Sequence, residues 1–118
     1  MKHTLLLATT LSMLATPSWA CDAPAVPGTP EGASATMEEM IAGQQAVKAF
    51  QTANVAYREC LDGVMAAHKE AAEDGDDSAE GTYEAAVADY NAAVSVEEQL
   101  AADFNAAIRA FRAANPSN

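Results

Sequence analysis

Between Thr36 and Asn115 the apolar residues recur at alternating steps of three and four, the spacing that lines one face of a long helix. In the first stretch the repeat runs Met40, Gly43, Val47, Phe50, Asn54, Tyr57, Leu61, Val64, His68 and Ala71. In the second it runs Tyr83, Val87, Tyr90, Val94, Glu97, Ala101, Phe104, Ile108 and Phe111. Such a seven-residue period is the a and d pattern of a helix–helix seam. The two stretches are separated by Asp74-Gly75-Asp76-Asp77, a turn-forming patch with no apolar residue. If the chain folds back there, Phe50 meets Ala101, Tyr57 meets Val94, Leu61 meets Tyr90 and Met40 meets Phe111. All four pairs share one midpoint, and it falls on the turn. The pattern predicts an all-α fold: a long antiparallel two-helix hairpin, coiled-coil-like, with helices over about 37–73 and 78–114.

The helix ends carry their own signals. Thr36-Met37-Glu38-Glu39 is a capping box that also brings carboxylates to the positive end of the helix dipole. Asp77 with Glu80 or Thr82 is expected to cap the second helix, with Gly81 blurring its start. Ser95-Val96-Glu97-Glu98 has the form of another capping box. The heptad passes straight through it with no adjoining Gly or Pro, so a continuous helix is expected.

Residues 21–35 break the pattern. Pro24, Pro27 and Pro30 recur every third position, which forbids a helix and suits an extended polyproline II segment. Beside the predicted seam, one edge is small and apolar: Ala46, Ala53, Cys60 and Ala67 face Ala107, Leu100, Ala93 and Ala86. The opposite edge is polar, with Gln44, Gln51, Arg58, Glu84, Asn91, Glu98, Asn105 and Arg112. A disulfide between Cys21 and Cys60 would lay the proline segment along the apolar edge. The reach suffices. Residues 36–60 span roughly 36 Å of helix, and residues 21–35 extended cover roughly 46 Å.

A disulfide requires an oxidising compartment, and the first twenty residues supply the route to one. Met1-Lys2-His3 is a short basic start, Thr4 to Thr16 an apolar run, and Ser18 and Ala20 small residues before a cut that frees Cys21. Residues 1–20 are thus expected to be a signal peptide, 21–35 the proline segment and 36–118 the hairpin, in a periplasmic or secreted protein. A lipid anchor on Cys21 is the alternative. It is disfavoured by Ser18 and Trp19, where lipidated signals carry Leu and a small residue. Removal of the signal leaves 98 residues, enough for one small domain. The five remaining basic residues face 17 acidic ones, a net charge of −12. Such a surface repels nucleic acid and anionic headgroups, so neither is an expected partner.

Candidate chemistry is sparse. His68 lies near the turn among Glu70, Glu73, Asp74, Asp76, Asp77 and Glu80, a group that could hold a divalent cation. The spacing is not that of a calcium loop, and a solvated acidic tip with His68 against Tyr83 is expected. Met37, Met40 and Met65 stand at helical spacing and read as core and rim rather than as soft ligands. Asn54 and Glu97 interrupt the seam at matching positions, as a pair that fixes its register. No nucleophile arrangement, phosphate loop or zinc spacing is present. No enzyme, no metal site and no cofactor is expected.

The Pro-rich start after Cys21, Gly32-Ala33-Ser34-Ala35-Thr36-Met37-Glu38-Glu39-Met40, Val47-Lys48-Ala49-Phe50 and Tyr57-Arg58-Glu59-Cys60-Leu61 resemble those of small exported proteobacterial helical proteins of unknown function. The resemblance spans Cys21 to Leu61. It implies a bacterial envelope or extracellular setting and brings no activity or site residues with it. The expected function is that of a non-enzymatic exported envelope protein acting through helix-mediated protein binding or self-association. A weak homodimer through an alanine-rich surface with Met65, Ala67, Ala86 and Val96 is the expected form, or else an unknown envelope partner. An acidic divalent-metal binder and an envelope chaperone are the alternatives.

Overall fold

The computed structural model describes residues 21–117; the expected signal peptide lies outside them. Helix α1 spans Met37–Glu73 and helix α2 spans Asp77–Ala114, and the two pack along one another as an antiparallel hairpin. Among the described residues there is no strand, and no helix is long and apolar enough to cross a membrane.

Each helix begins where a side chain takes over the free backbone amides. Thr36 accepts from Glu39 N at 3.1 Å, and Glu39 Oε2 accepts from Thr36 N at 2.8 Å, which completes the capping box. At the second start the cap is Asp76, one residue before the expected Asp77. Its Oδ1 accepts from Ser78 N and Ala79 N at 3.0 and 3.1 Å. The reason lies in the end of α1. Gly75 takes φ +91, Gly75 N donates to Ala72 O and Asp76 N donates to Ala71 O. This is a Schellman closure, which needs a residue free to enter the left-handed region and hence glycine. The closure leaves Asp76 extended, at φ −75 and ψ 103, already placed to cap α2. Three residues therefore both stop one helix and start the next. Ser95 lies inside the uninterrupted α2.

Burial follows the heptads, with one displacement. On α1 the buried residues are Met40, Phe50, Asn54 and Leu61, all from the predicted seam. On α2 they are Ala79, Ala86, Ala93, Leu100 and Ala107, spaced by sevens, together with Phe104. Tyr83, Val87, Tyr90 and Val94, predicted as seam, are only half-buried. The small stripe is deeper because it is covered twice, by α1 and by the proline segment.

That segment is stapled by the Cys21–Cys60 disulfide, with Cα atoms 5.7 Å apart. It runs antiparallel to α1 and along α2. Cys21 adjoins Leu61 and Ala86, Val26 to Thr29 adjoin Val96 and Leu100, and Gly32 meets Ala107. Cys21, Pro24, Pro27 and Pro30 are half-buried, with Thr29 beside the last of them, whereas Asp22, Ala23, Ala25, Val26 and Gly28 are exposed. A burial period of three is that of a polyproline II strand lying on a surface. Its rise of about 9 Å per turn lies close to the roughly 10.5 Å of a helical heptad, so successive prolines meet successive layers of α2.

The segment ends in a tight docking. A Cβ at Gly32 would overlap the backbone carbonyl of Ala107, which cannot move without disturbing α2. Gly32→Ala is expected to cost about 2 kcal/mol, as an overpacked contact does. A thermal melt against the wild type checks this, and an unchanged midpoint would mean that the turn at 32–34 is free of the helix. Beyond Gly32, Met40, Phe104 and Ala107 form the core cluster at the open end of the hairpin, with Ala35, Val47, Ile108 and Phe111 packed against it.

Candidate functional site

Three places on the hairpin gather polar or apolar groups beyond what packing requires. The first is the buried amide. Asn54 is 1% exposed, and its Nδ2 donates to Ala93 O at 3.1 Å. It does not pair with Glu97, as the shared midpoint suggested. An asparagine is short, and the carbonyl of Ala93 on α2 lies within its reach. The bond still ties one point of α1 to one point of α2, which is what a register device must do.

Glu97 instead meets Arg58. The guanidinium lies 3.7 Å from Glu97 Oε2 and 5.8 Å from the centre of the Tyr90 ring. Arg58 was expected on the polar edge. It is half-buried, and its Nε has no hydrogen-bond partner. With both partners a quarter exposed, the ion pair contributes little to stability. Its effect is to close the polar edge over Tyr90. Nearby, burial pushes the Tyr57 phenol above its ordinary range, and the Asp89 carboxylate adds to the shift. A raised folded-state value means that the neutral phenol is the stabilised form. Its contribution is complete below the unfolded value near 10 and is lost as pH rises through the folded one. The expected result is an alkaline fall in stability above about pH 10 that Tyr57→Phe reduces. Denaturant unfolding at stepped pH reads it directly.

The second place is the turn. His68 Nδ1 is 2.8 Å from Val64 O, so this nitrogen is engaged in a local bond that fixes the ring on α1. Tyr83 lines a shallow depression with Lys69, Ala72, Glu73, Glu80 and Glu84, a set that does not include His68. Among the described residues no group of three or more His, Cys, Asp or Glu side chains is gathered as cation ligands would be.

The third place was not singled out in the sequence. At the open end, beside the core cluster, residues of both helices and of the segment after α2 line a cleft of about 640 Å³. Met40, Phe104, Ile108 and Phe111 form its apolar walls, and Met37 and Ile41 stand at its rim. Met37 is 60% and Ile41 48% exposed, on adjacent turns of α1. Arg112 lines the same cleft, and among the described residues neither it nor Arg109 has a carboxylate within 4 Å, since the one ion pair there is that of Arg58. The sequence did contain a signal. Met37 and Ile41 are large apolar residues four apart and off the seam, on a helix whose other off-seam positions are mostly Ala or polar.

The three methionines are not brought together. Met40 is in the core, Met37 on the rim and Met65 half-buried elsewhere along α1. Of the surface expected to mediate pairing, Ala86 is buried beneath the hairpin's own packing, while Ala67 and Val96 are exposed. The alanine stripe of α2 is used up inside the molecule, whereas Ala53 and Ala67 of α1 remain exposed.

Comparison with known proteins finds nothing similar to this chain: no family model, no curated protein and no solved structure matches.

Proposed function

We propose that this is a non-enzymatic protein of the bacterial envelope, exported by its first twenty residues, that acts through helix-mediated protein binding or self-association. The observation that supports this most is the open-end patch, where Met37 and Ile41 remain exposed around an apolar cleft. Large apolar residues scattered singly need no explanation, but a clustered set around a concave apolar surface is the usual form of a binding site. The disulfide supports the compartment, because such bonds persist where the surroundings are oxidising. The hairpin's thinness supports the need for a partner, since two helices bury a single seam and small folds of this kind are marginal alone.

Sedimentation equilibrium of the mature protein at low and moderate salt is the test. Association that strengthens with salt is expected, because screening relieves the repulsion between chains of net charge −12. A strict monomer in both buffers would remove self-association and leave a different envelope protein as the partner. Recovery of such a protein by crosslinked wild type but not by Ile41→Glu would then identify the same patch as its site.

A further inference from the structure

We infer that the open-end patch is covered by a second copy of this chain, in a two-fold pairing that joins the open ends and points the two acidic turns away from each other. This rests on the self-association reading and adds the surface and the orientation. Three observations carry it.

Charge is distributed very unevenly along the hairpin. Residues 55–97, the half toward the turn, hold 11 of the 17 acidic residues and only Arg58 and Lys69 as cations, a net charge of −9. The other half of the mature chain carries −3. Two copies packed side by side in parallel would bring the acidic halves within a Debye length of about 8 Å. Two copies joined at their open ends would hold those halves about one hairpin length, roughly 57 Å, apart.

The open end also carries both signs. Glu38 and Glu39 are exposed in the first turn of α1, and Arg109 and Arg112 are exposed near the end of α2. A two-fold contact sets a patch against itself, so a surface with both charges can complement its own copy. Arg112, with no carboxylate of the described residues within 4 Å, is available for this.

The open end also offers both a rim and a hollow. The rim residues Met37 and Ile41 project from α1, and the cleft walled by Phe104, Ile108 and Phe111 recedes beside them. A two-fold axis through the open end can place the rim of each copy in the cleft of the other, burying the most exposed apolar side chains of the helices.

Small-angle scattering with sedimentation equilibrium tests the proposal on the mature, oxidised protein. One hairpin is roughly 57 Å long, so the expected dimer has a maximum dimension of about 110 Å, against about 60 Å for side-by-side packing. Ile41→Glu should weaken association by more than about ten-fold, as loss of a central apolar anchor does, with the thermal midpoint of the dilute protein unchanged. Val55→Glu, at an exposed site midway along α1, should leave association intact. A dimer of about 60 Å, or one that survives Ile41→Glu, overturns the open-end assignment while leaving self-association standing. A monomer under all conditions overturns both.

Discussion

Replacing Cys60 with Ser is expected to lower stability by about 4 kcal/mol and to free residues 21–35 while sparing most of the helicity. The figure is the chain-entropy value for a closed loop of this size, with the two cysteines 39 positions apart. The structure adds a second contribution. The segment covers Ala86, Leu100 and Ala107, so its release opens the deepest stripe of α2 to water. Native domains of this size have only about 5–15 kcal/mol in hand, so the thermal midpoint should fall by well over 10 °C. Far-UV circular dichroism should change little before the melt, because the helices keep their caps and most of their seam. Amide exchange should accelerate at Ser34 and Ala35, the backbone donors of the segment. An unchanged midpoint would show that the proline segment contributes nothing by lying where it does.

Asn54→Asp is the second large effect, expected to cost about 3 kcal/mol or more at neutral pH. The substitution is nearly isosteric, so cavity and clash play no part. What changes is chemistry. The amide that donates to Ala93 O becomes a carboxylate with no proton to give, buried at 1% exposure against a carbonyl oxygen. The introduced group should therefore titrate well above the usual carboxylate range. Its folded-state value being raised, the fold is least penalised below the unfolded value near 4 and loses stability as pH rises above it. Urea midpoints of the variant and the wild type should converge toward pH 4 and diverge toward neutrality. A pH-independent difference would mean that the site is wet, and that Asn54 does not anchor the register.

Much of this architecture was legible because its causes are local or periodic. The heptads of both helices, the turn at Gly75 and the Thr36 capping box each express themselves in a few neighbouring residues. The staple could be placed because Cys60 falls on the small edge and the prolines reach it. What escaped was set by the third dimension. The seam residues of α2 share their burial with a stripe one position away, since the proline segment turns an edge into an interior. Asn54 chose a backbone carbonyl over Glu97, and Arg58 folded onto Tyr90, choices fixed by side-chain reach rather than by heptad position. The cap of α2 moved to Asp76 because the Schellman closure at Gly75 dictates which residue is extended next. The open-end cleft appeared only once Phe104, Ile108 and Phe111 were seen beside Met37 and Ile41.

The proposed export and cleavage meet the staple in one residue, Cys21, and intact mass spectrometry of the native protein with and without reduction examines all three together. The mass predicted is that of residues 21–118 with a free amine, lower than the reduced form by two hydrogen atoms, with no thiol alkylated until a reductant is added. A diacylglyceryl mass on Cys21, or two thiols alkylated in the native protein, would contradict the stapled hairpin described above.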